Sequence, residues 1–369
     1  MTTSTNGYGM PTSPVLPTEE YIVRLRRLHD TLRSELLHRL HEQEVAVGTL
    51  SLGTHETSLL ESVADVRGGD TIYTIDTHSE EILFAFCEEW GREMPLALVA
   101  EGIEGDGWQM FPAHAKDEDA QFILIVDPID GTRNIMYNKR SAWVLSGIAP
   151  NRGRGKTTLA DIECAVMTEV PTTRHLYSDQ LWAARNQGAY RESINLVSGE
   201  RKALPLRPSR ADNLAHGFAS VAKFFPPAKG AIAAFEEELL SRVAPAEGEN
   251  PLVFDDEYIS TGGQLYEILV GHDRFLADLR PVFFEALGLP KKLVCHPYDI
   301  CVEIIAREAG IVVTDENGAA LSAPLDIRAP VSWAGYANDA LRALVEPHLH
   351  ELLAQVRRNP IDANLRIQA

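Results

Sequence analysis

The chain has 369 residues, 45% of them hydrophobic, and a formal net charge of −19 at pH 7. A chain of this length can bury a large core, and we expect it to form two lobes. The acidic balance, with no basic stripe, excludes nucleic acid as a bulk ligand. Since no apolar run reaches the roughly 18 residues that a membrane span needs, we expect no membrane partner.

The first 17 residues are polar and contain Gly and Pro, a composition typical of a disordered tail. They lack the basic and then apolar pattern of a secretion signal. The four cysteines, at positions 87, 164, 295 and 301, form no C-x-x-C pair. We interpret them as reduced core residues of a cytoplasmic protein.

Apolar periodicity predicts helices and strands in a mixed order. The predicted elements, in chain order, are helices at 19–47, 56–66 and 79–89, strands near 96–101, 121–127, 142–149, 161–168 and 180–185, a strand near 216–222, helices at 229–243 and 262–270, a strand at 274–278, strands near 312–313 and 331–335, and a helix at 339–357. This order predicts an α/β layered sandwich. We divide the chain into a tail (1–17), an N-terminal α+β lobe (18–208) and a C-terminal α/β lobe (209–369).

Residues 127–134 read DPIDGTRN and directly follow the apolar run FILIV. A buried strand here ends in two carboxylates, Asp127 and Asp130. Carboxylates at short range repel each other, and Mg²⁺, which prefers oxygen ligands, would relieve that repulsion. The N–H groups of Gly131 and Thr132 would form an anion site at a helix start. The octet therefore predicts a cation site beside a phosphate cradle, as metal-assisted phosphoryl chemistry requires; the alternative is a turn joining strand and helix.

The octet resembles the signature of the inositol monophosphatase superfamily, D-P-(I/L)-D-G-(S/T)-x-N. That superfamily includes fructose-1,6-bisphosphatases and phosphatases of 3′-phosphoadenosine nucleotides. A later segment, PYDICVEIIAREAG at 297–310, is similar to its W-D-x-A-x motif followed by E-A-G, with Tyr298 in place of Trp. From the residues alone, Asp299 caps a helix that ends at Gly310. The resemblance implies that Asp299 is also a metal ligand.

Two further acids belong to the resemblance. Asp76, followed by Glu80 and Glu81, is similar to the superfamily's first Asp, which lies just before a helix. The strand LALVAEG ends in Glu101, where the superfamily has Gly-Glu-Glu, but Gly102 stands at the second Glu. Whether Gly102 weakens one metal site stays open.

The resemblance covers roughly residues 45–340 and implies a sandwich of alternating helix and sheet layers (αβαβα). It implies two or three Mg²⁺ ions, for which Mn²⁺ could substitute. The implied metal ligands are Glu101, Asp127, the Ile129 carbonyl, Asp130 and Asp299. The implied catalytic residues are Glu101, Asp76 and Thr132, whose hydroxyl, oriented by Asp76, would help deprotonate the attacking water. The implied phosphate-binding residues are Asp130, Gly131, Thr132, Gly262 and Gly263.

We therefore expect a Mg²⁺-dependent phosphatase, a lithium-sensitive hydrolase of a small phosphorylated polyol or sugar, acting as a cytoplasmic homodimer. The alternatives are a sugar bisphosphatase, a 3′-phosphonucleotide phosphatase, or a catalytically weak pseudo-enzyme that serves as a binding module. Gly102 is the feature that favours the pseudo-enzyme.

The segment 278–292 is longer than the connection usual in the superfamily and carries Arg280, Lys291 and Lys292. The simpler interpretation is a solvated surface elaboration. The other is that one of these cations reaches the pocket mouth and binds a second anionic group of the substrate.

Overall fold

The structure is a computed structural model that describes residues 17–49, 63–67, 70–103, 105–245 and 250–358. For residues 43–49, 63–67 and 70–77 it describes the backbone alone. The predicted tail, up to residue 16, and the predicted helix before residue 63 lie outside these ranges. The prediction that this helix extends to residue 66 was wrong, because residues 63–66 belong to a strand that pairs with residues 70–73. Two valines in this short stretch fit a paired strand better than a helix.

Eight helices are present in the described part of the chain. They are α1 (Thr18–Thr49), α2 (Thr74–Glu93), α3 (Thr132–Met136), α4 (Lys229–Val243), α5 (Thr261–Val270), α6 (Arg280–Ala286), α7 (Glu303–Glu308) and α8 (Asp339–Arg358). Within those same ranges, none of them combines the length and apolarity needed to cross a bilayer.

The strands form one small, one eight-stranded and one five-stranded sheet. They are β1 (Val63–Arg67), β2 (Asp70–Tyr73), β3 (Leu96–Ala100), β4 (Trp108–Phe111), β5 (Phe122–Asp130), β6 (Ala142–Pro150), β7 (Cys164–Val170), β8 (Tyr177–Ala184), β9 (Ala189–Asn195), β10 (Arg201–Leu204), β11 (Gly217–Val221), β12 (Val253–Phe254), β13 (Asp273–Asp278), β14 (Val312–Thr314) and β15 (Trp333–Tyr336). The large sheets have the orders β10-β9-β8-β7-β6-β5-β3-β4 and β12-β11-β13-β15-β14.

The helices and the two large sheets pack as alternating layers. Helices α1 and α2 cover one face of the eight-stranded sheet, through contacts to β7 and β5. Helices α5 and α7 contact both sheets, α5 through β6 and β13 and α7 through β8 and β14. Helices α4, α6 and α8 pack together and contact the five-stranded sheet through β11 and β15. This arrangement confirms the predicted α/β layered fold.

Two hydrophobic cores lie between these layers. One lies under α1 and α2 and includes Leu25, Leu32 and Trp90, all buried. The other joins the two large sheets across α5 and α7 and includes Trp143 and Phe275. The sheets lie on either side of residue 208 in the sequence, and the division of the chain into two lobes there stays a prediction.

Candidate metal centre

Asp127 and Asp130 lie at the end of β5, a strand buried along its whole length. In a regular strand, residues three positions apart point to opposite faces. The pairing of β5 with β6 is irregular between these two aspartates, as in a β-bulge, and both side chains reach the same cavity. The bulge therefore converts two residues of one strand into a pair of converging carboxylates.

Asp299 joins them from a different part of the chain. It lies in a turn before α7, whose N-cap is Val302, so the prediction that Asp299 caps this helix was wrong. Its carboxylate instead accepts a hydrogen bond of 2.6 Å from the His296 N–H, and its own N–H donates to the His296 carbonyl at 3.1 Å. These bonds close the turn, so the chain does not become helical until after Asp299.

The carboxylate oxygens of Asp127, Asp130 and Asp299 lie within 4.8 Å of one another. Glu101, at the end of β3, lines the same cavity and lies close enough to act on the charge of Asp127. The structure thus brings together the four acids that the sequence predicted to converge.

The electrostatics of this cluster suit a divalent cation. Burial, followed by repulsion from Glu101, Asp130 and Asp299, raises the pKa of Asp127 well above its usual range. Burial and repulsion from Asp130 raise the pKa of Asp299 in the same direction. Carboxylates so crowded hold protons unless a positive charge replaces them, and oxygen-only donor sets are those that Mg²⁺ prefers.

Asp130 is held in place by the start of α5. Its carboxylate accepts hydrogen bonds from the Gly262 N–H at 2.6 Å, the Ser260 hydroxyl at 2.8 Å and the Thr261 N–H at 3.3 Å. Burial raises the pKa of Asp130 to about 6, and these bonds act against the rise. Ser260, which is also the N-cap of α5, escaped the sequence analysis because it is remote from the octet.

Gly262 approaches the acid cluster closely because it lacks a side chain, and Gly263 packs in the same way against the Tyr258 ring. A Cβ at Gly262 would lie 2.6 Å from a Leu145 methyl group and 3.1 Å from Asp130. The Gly263 N–H donates to the Ser260 hydroxyl. Both N–H groups are thus engaged inside the protein, and their predicted contact with phosphate stays a prediction.

The octet turn places the remaining predicted residues. Gly131 has φ 89°, a left-handed conformation that glycine adopts at little cost, and α3 begins directly after it. The Thr132 hydroxyl donates to the Ile129 carbonyl at 2.9 Å. That carbonyl keeps a second lone pair, so the bond is compatible with its predicted role as a ligand. The Asp76 side chain lies outside the described residues.

Gly102, at the position of the superfamily's second Glu, has φ 86°. A Cβ built there would come within 2.0 Å of a Glu80 carboxylate oxygen. Glu80, on α2, therefore fills the space where a side chain at position 102 would begin. A carboxylate from another element thus lies directly against Gly102.

A cavity of 130 Å³ opens over the acids. Its lining also includes two cations and two aromatic residues that the sequence did not predict to meet there, namely Arg133, Arg280, Phe224 and Phe225. The Arg280 guanidinium lies 4.3 Å from the centre of the Phe224 ring. Phe224 and Phe225 are half-buried, and an aromatic residue gives no local signal that separates a pocket wall from a core.

Arg280 corrects the interpretation of the segment 278–292 as a solvated surface. It is 4% exposed, forms an ion pair with the buried Asp278 and donates to the Leu293 carbonyl at 2.7 Å. Lys292 is exposed, and Lys291 pairs with the exposed Glu285. The segment therefore contributes one cation to the cavity wall and two to the surface.

No protein-family model and no curated protein matches the chain. Fructose-1,6-bisphosphatase from Leishmania major resembles it with a TM-score of 0.62 and 13% identity, over 94% of this chain and 96% of that chain. The suhB extragenic suppressor protein of Bartonella henselae resembles it with a TM-score of 0.55 and 16% identity, over 88% and 98%. The IMPase of Thermotoga maritima resembles it with a TM-score of 0.54 and 18% identity, over 91% of this chain and 99% of that chain. The chain therefore shares the fold of these three proteins.

Proposed function

We propose that this protein is a Mg²⁺-dependent phosphomonoesterase that hydrolyses a small phosphorylated polyol or sugar. The observation that carries the proposal is the cluster of Asp127, Asp130 and Asp299 in one cavity with Glu101. The fold adds support, since it is shared with proteins named as phosphatases. Burying several ionised carboxylates together is costly unless a cation neutralises them. A site that binds a divalent cation in this way is suited to phosphoryl transfer.

The four acids and the Ile129 carbonyl would hold the metal. Bound Mg²⁺, in two or three copies or replaced by Mn²⁺, would supply Lewis acidity and lower the pKa of a coordinated water. Ser260 and Gly262 orient Asp130 towards the cavity. Glu101 and Thr132 line the cavity, where the Glu101 carboxylate could accept the proton of the attacking water and the Thr132 hydroxyl oxygen could accept a hydrogen bond from that water.

The Arg133 and Arg280 side chains favour a second candidate, a sugar bisphosphatase or a 3′-phosphonucleotide phosphatase. Both residues line the same cavity as the acids. Arginine recognises phosphate by charge-assisted hydrogen bonds. A substrate with a second anionic group would place the reacting phosphate on the acids and the other group near these arginines.

A catalytically weak pseudo-enzyme is the third candidate, since Gly102 replaces a carboxylate. The Glu80 carboxylate lies next to Gly102 and could stand in for the replaced one, which weighs against this candidate. Turnover of a generic phosphate ester separates the candidates: an enzyme releases phosphate with Mg²⁺ and stops with a chelator, while a pseudo-enzyme releases none in either condition. A panel of inositol 1-phosphate, fructose 1,6-bisphosphate and 3′-phosphoadenosine 5′-phosphate then distinguishes the substrate classes.

We also propose a homodimer located in the cytoplasm. Tyr137, Leu176 and Tyr177 are 65%, 59% and 58% exposed and lie near each other, since Asn138 hydrogen bonds to Thr173. Clustered exposed apolar side chains are typical of an interface. All four cysteines are buried free thiols, which suits a reducing compartment. Sedimentation of wild type and a Tyr137→Ser/Leu176→Ser variant tests the dimer, which the variant should dissociate.

A further inference from the structure

A second cavity, of 270 Å³, lies at the C-terminal end of α5. Its lining is Arg140, Phe218, Asp256, Glu267, His272 and Asp273. It shares no lining residue with the cavity over the acids. Helix α5 thus begins at the candidate metal centre and ends at this second cavity.

Asp273 is the unusual residue of the second cavity. It is 8% exposed, and no group in the described part of the chain donates a hydrogen bond to its carboxylate. The other charged side chains of the lining are paired: Arg140 binds Asp256 at 2.7 Å, and His272 binds Glu267 at 2.5 Å. A buried carboxylate without a partner is costly, and a ligand that supplies a positive charge would remove that cost.

Two aromatic rings extend from Asp273 across the sheet. In the pairing of β12, β11 and β13, Phe254 lies opposite Phe218, and Phe218 lies opposite Asp273. Paired residues of neighbouring strands present their side chains on the same face. The ring centres of Phe218 and Phe254 are 6.0 Å apart, and the two side chains are 40% and 46% exposed. Aromatic faces attract cations, so this row offers a carboxylate and an aromatic platform to the same ligand.

The end of α5 adds negative potential. The last carbonyl groups of a helix carry the negative end of its dipole, and cations near them are stabilised. Glu267 lies in the last turn of α5 and lines the cavity. A metal ion is a poorer occupant, because among the described residues the acids of this cavity do not bring three ligand atoms within 4.8 Å, as the metal centre does.

We propose that the second cavity binds a small organic cation, a primary ammonium or guanidinium compound. Its charged group pairs with the Asp273 carboxylate, and its carbon stem lies against Phe218. The volume suits a metabolite of a few carbon atoms. Binding requires neither the metal nor the phosphatase activity.

The pH dependence of binding follows from the groups around Asp273. Burial, Glu267 and Asp256 raise the pKa of Asp273 to about 7, while His272 and Arg140 oppose this rise. An amine stays protonated through this range, so the affinity depends on ionisation of the carboxylate. Binding should therefore tighten as the pH rises from about 6 to about 8.

Isothermal titration calorimetry with putrescine tests the proposal, with uncharged butane-1,4-diol as the matched ligand. Salt of about 0.15 M screens non-specific attraction to the net charge of −19. We expect putrescine to bind and the diol not to bind. Asp273→Asn should weaken putrescine binding about tenfold or more, and Phe218→Leu about threefold. The control Glu88→Gln, which removes an exposed carboxylate from α2, should leave the affinity unchanged.

Thermal unfolding of each variant shows whether it folds. If Asp273→Asn does not fold, Phe218→Leu alone tests the site. The proposal is overturned if putrescine and the diol give the same heats at about 20 mM, or if folded Asp273→Asn or Phe218→Leu binds as wild type does. It is also overturned if Glu88→Gln weakens binding as much as Asp273→Asn, because the attraction would then be a property of net charge.

Discussion

His29, on α1, should make the stability of the protein depend on pH. The side chain is fully buried, and its ring nitrogens lie 3.0 Å from the Thr168 hydroxyl and 2.7 Å from the Ser146 hydroxyl. Burial, and then the charge of Arg33, lower the pKa of His29 from 6.5 to about 3. The ring is therefore neutral in the folded protein at ordinary pH.

The number of protons bound in the folded and unfolded states decides whether acid stabilises or destabilises the protein. Between pH 6.5 and about 3 the unfolded chain binds a proton at His29 and the folded protein does not, so acid favours unfolding. Complete protonation of His29 on unfolding lowers the free energy of unfolding by about 5 kcal/mol. About 3 kcal/mol of this loss is reached by about pH 4. This loss is absent above pH 6.5 and grows as the pH falls.

Urea unfolding at pH 7 and at about pH 4 measures the effect in wild type and in His29→Gln. The variant should be less stable at pH 7, because glutamine fits the two hydroxyl partners less well. Its stability should fall less between the two pH values than that of wild type, by about 3 kcal/mol. His38→Gln, an exposed histidine on the same helix, should behave as wild type does. Equal pH dependence in wild type and His29→Gln would refute the reasoning.

Three further predictions concern the cavity over the acids. Millimolar Mg²⁺ should raise the melting temperature of wild type but not of Asp127→Asn. At a Mg²⁺ concentration of about a hundred times Kd, the free energy of unfolding of wild type should rise by about 2.7 kcal/mol. An identical shift in both proteins would contradict the proposed metal site. Glu80→Gln should lower phosphatase kcat/KM about tenfold or more, and Glu88→Gln should not, since only Glu80 lies beside Gly102; equal rates would leave Glu80 without a role. Arg133→Ala should raise KM for a bis-anionic substrate more than for inositol 1-phosphate, and an equal rise for both would argue against the bisphosphatase candidate.

Local sequence could predict the contiguous part of the site, and the family resemblance added Glu101 and Asp299 from separate segments. Asp127, Asp130, Gly131 and Thr132 lie in one octet, and the apolar run before them predicts the buried strand that presents them. Helix 229–243 was predicted with its observed bounds. The observed edge strand β10 and its neighbour β9 were missed, because these partly exposed strands carry a weak alternation of apolar and polar residues.

What the sequence could not predict depends on long-range packing. Ser260 meets Asp130 only because α5 starts against the end of β5. Local sequence did not decide between the surface and the pocket for Arg280, because its partner Asp278, its neighbour Phe224 and the cavity come together only in the folded chain. The row from Phe254 to Asp273 depends on strand register, which no local pattern fixes across three separate strands.

The most direct test of the central claim is phosphate release from inositol 1-phosphate, measured with Mg²⁺ and with a chelator. Wild type should turn over only with Mg²⁺, and Asp127→Asn should lose at least about a hundredfold in kcat/KM while melting no lower than metal-free wild type. Glu88→Gln, folded and with its metal acids intact, should match wild type. Chelator-resistant turnover, or equal turnover by wild type and Asp127→Asn, would contradict the assignment of the acid cluster as the catalytic metal site.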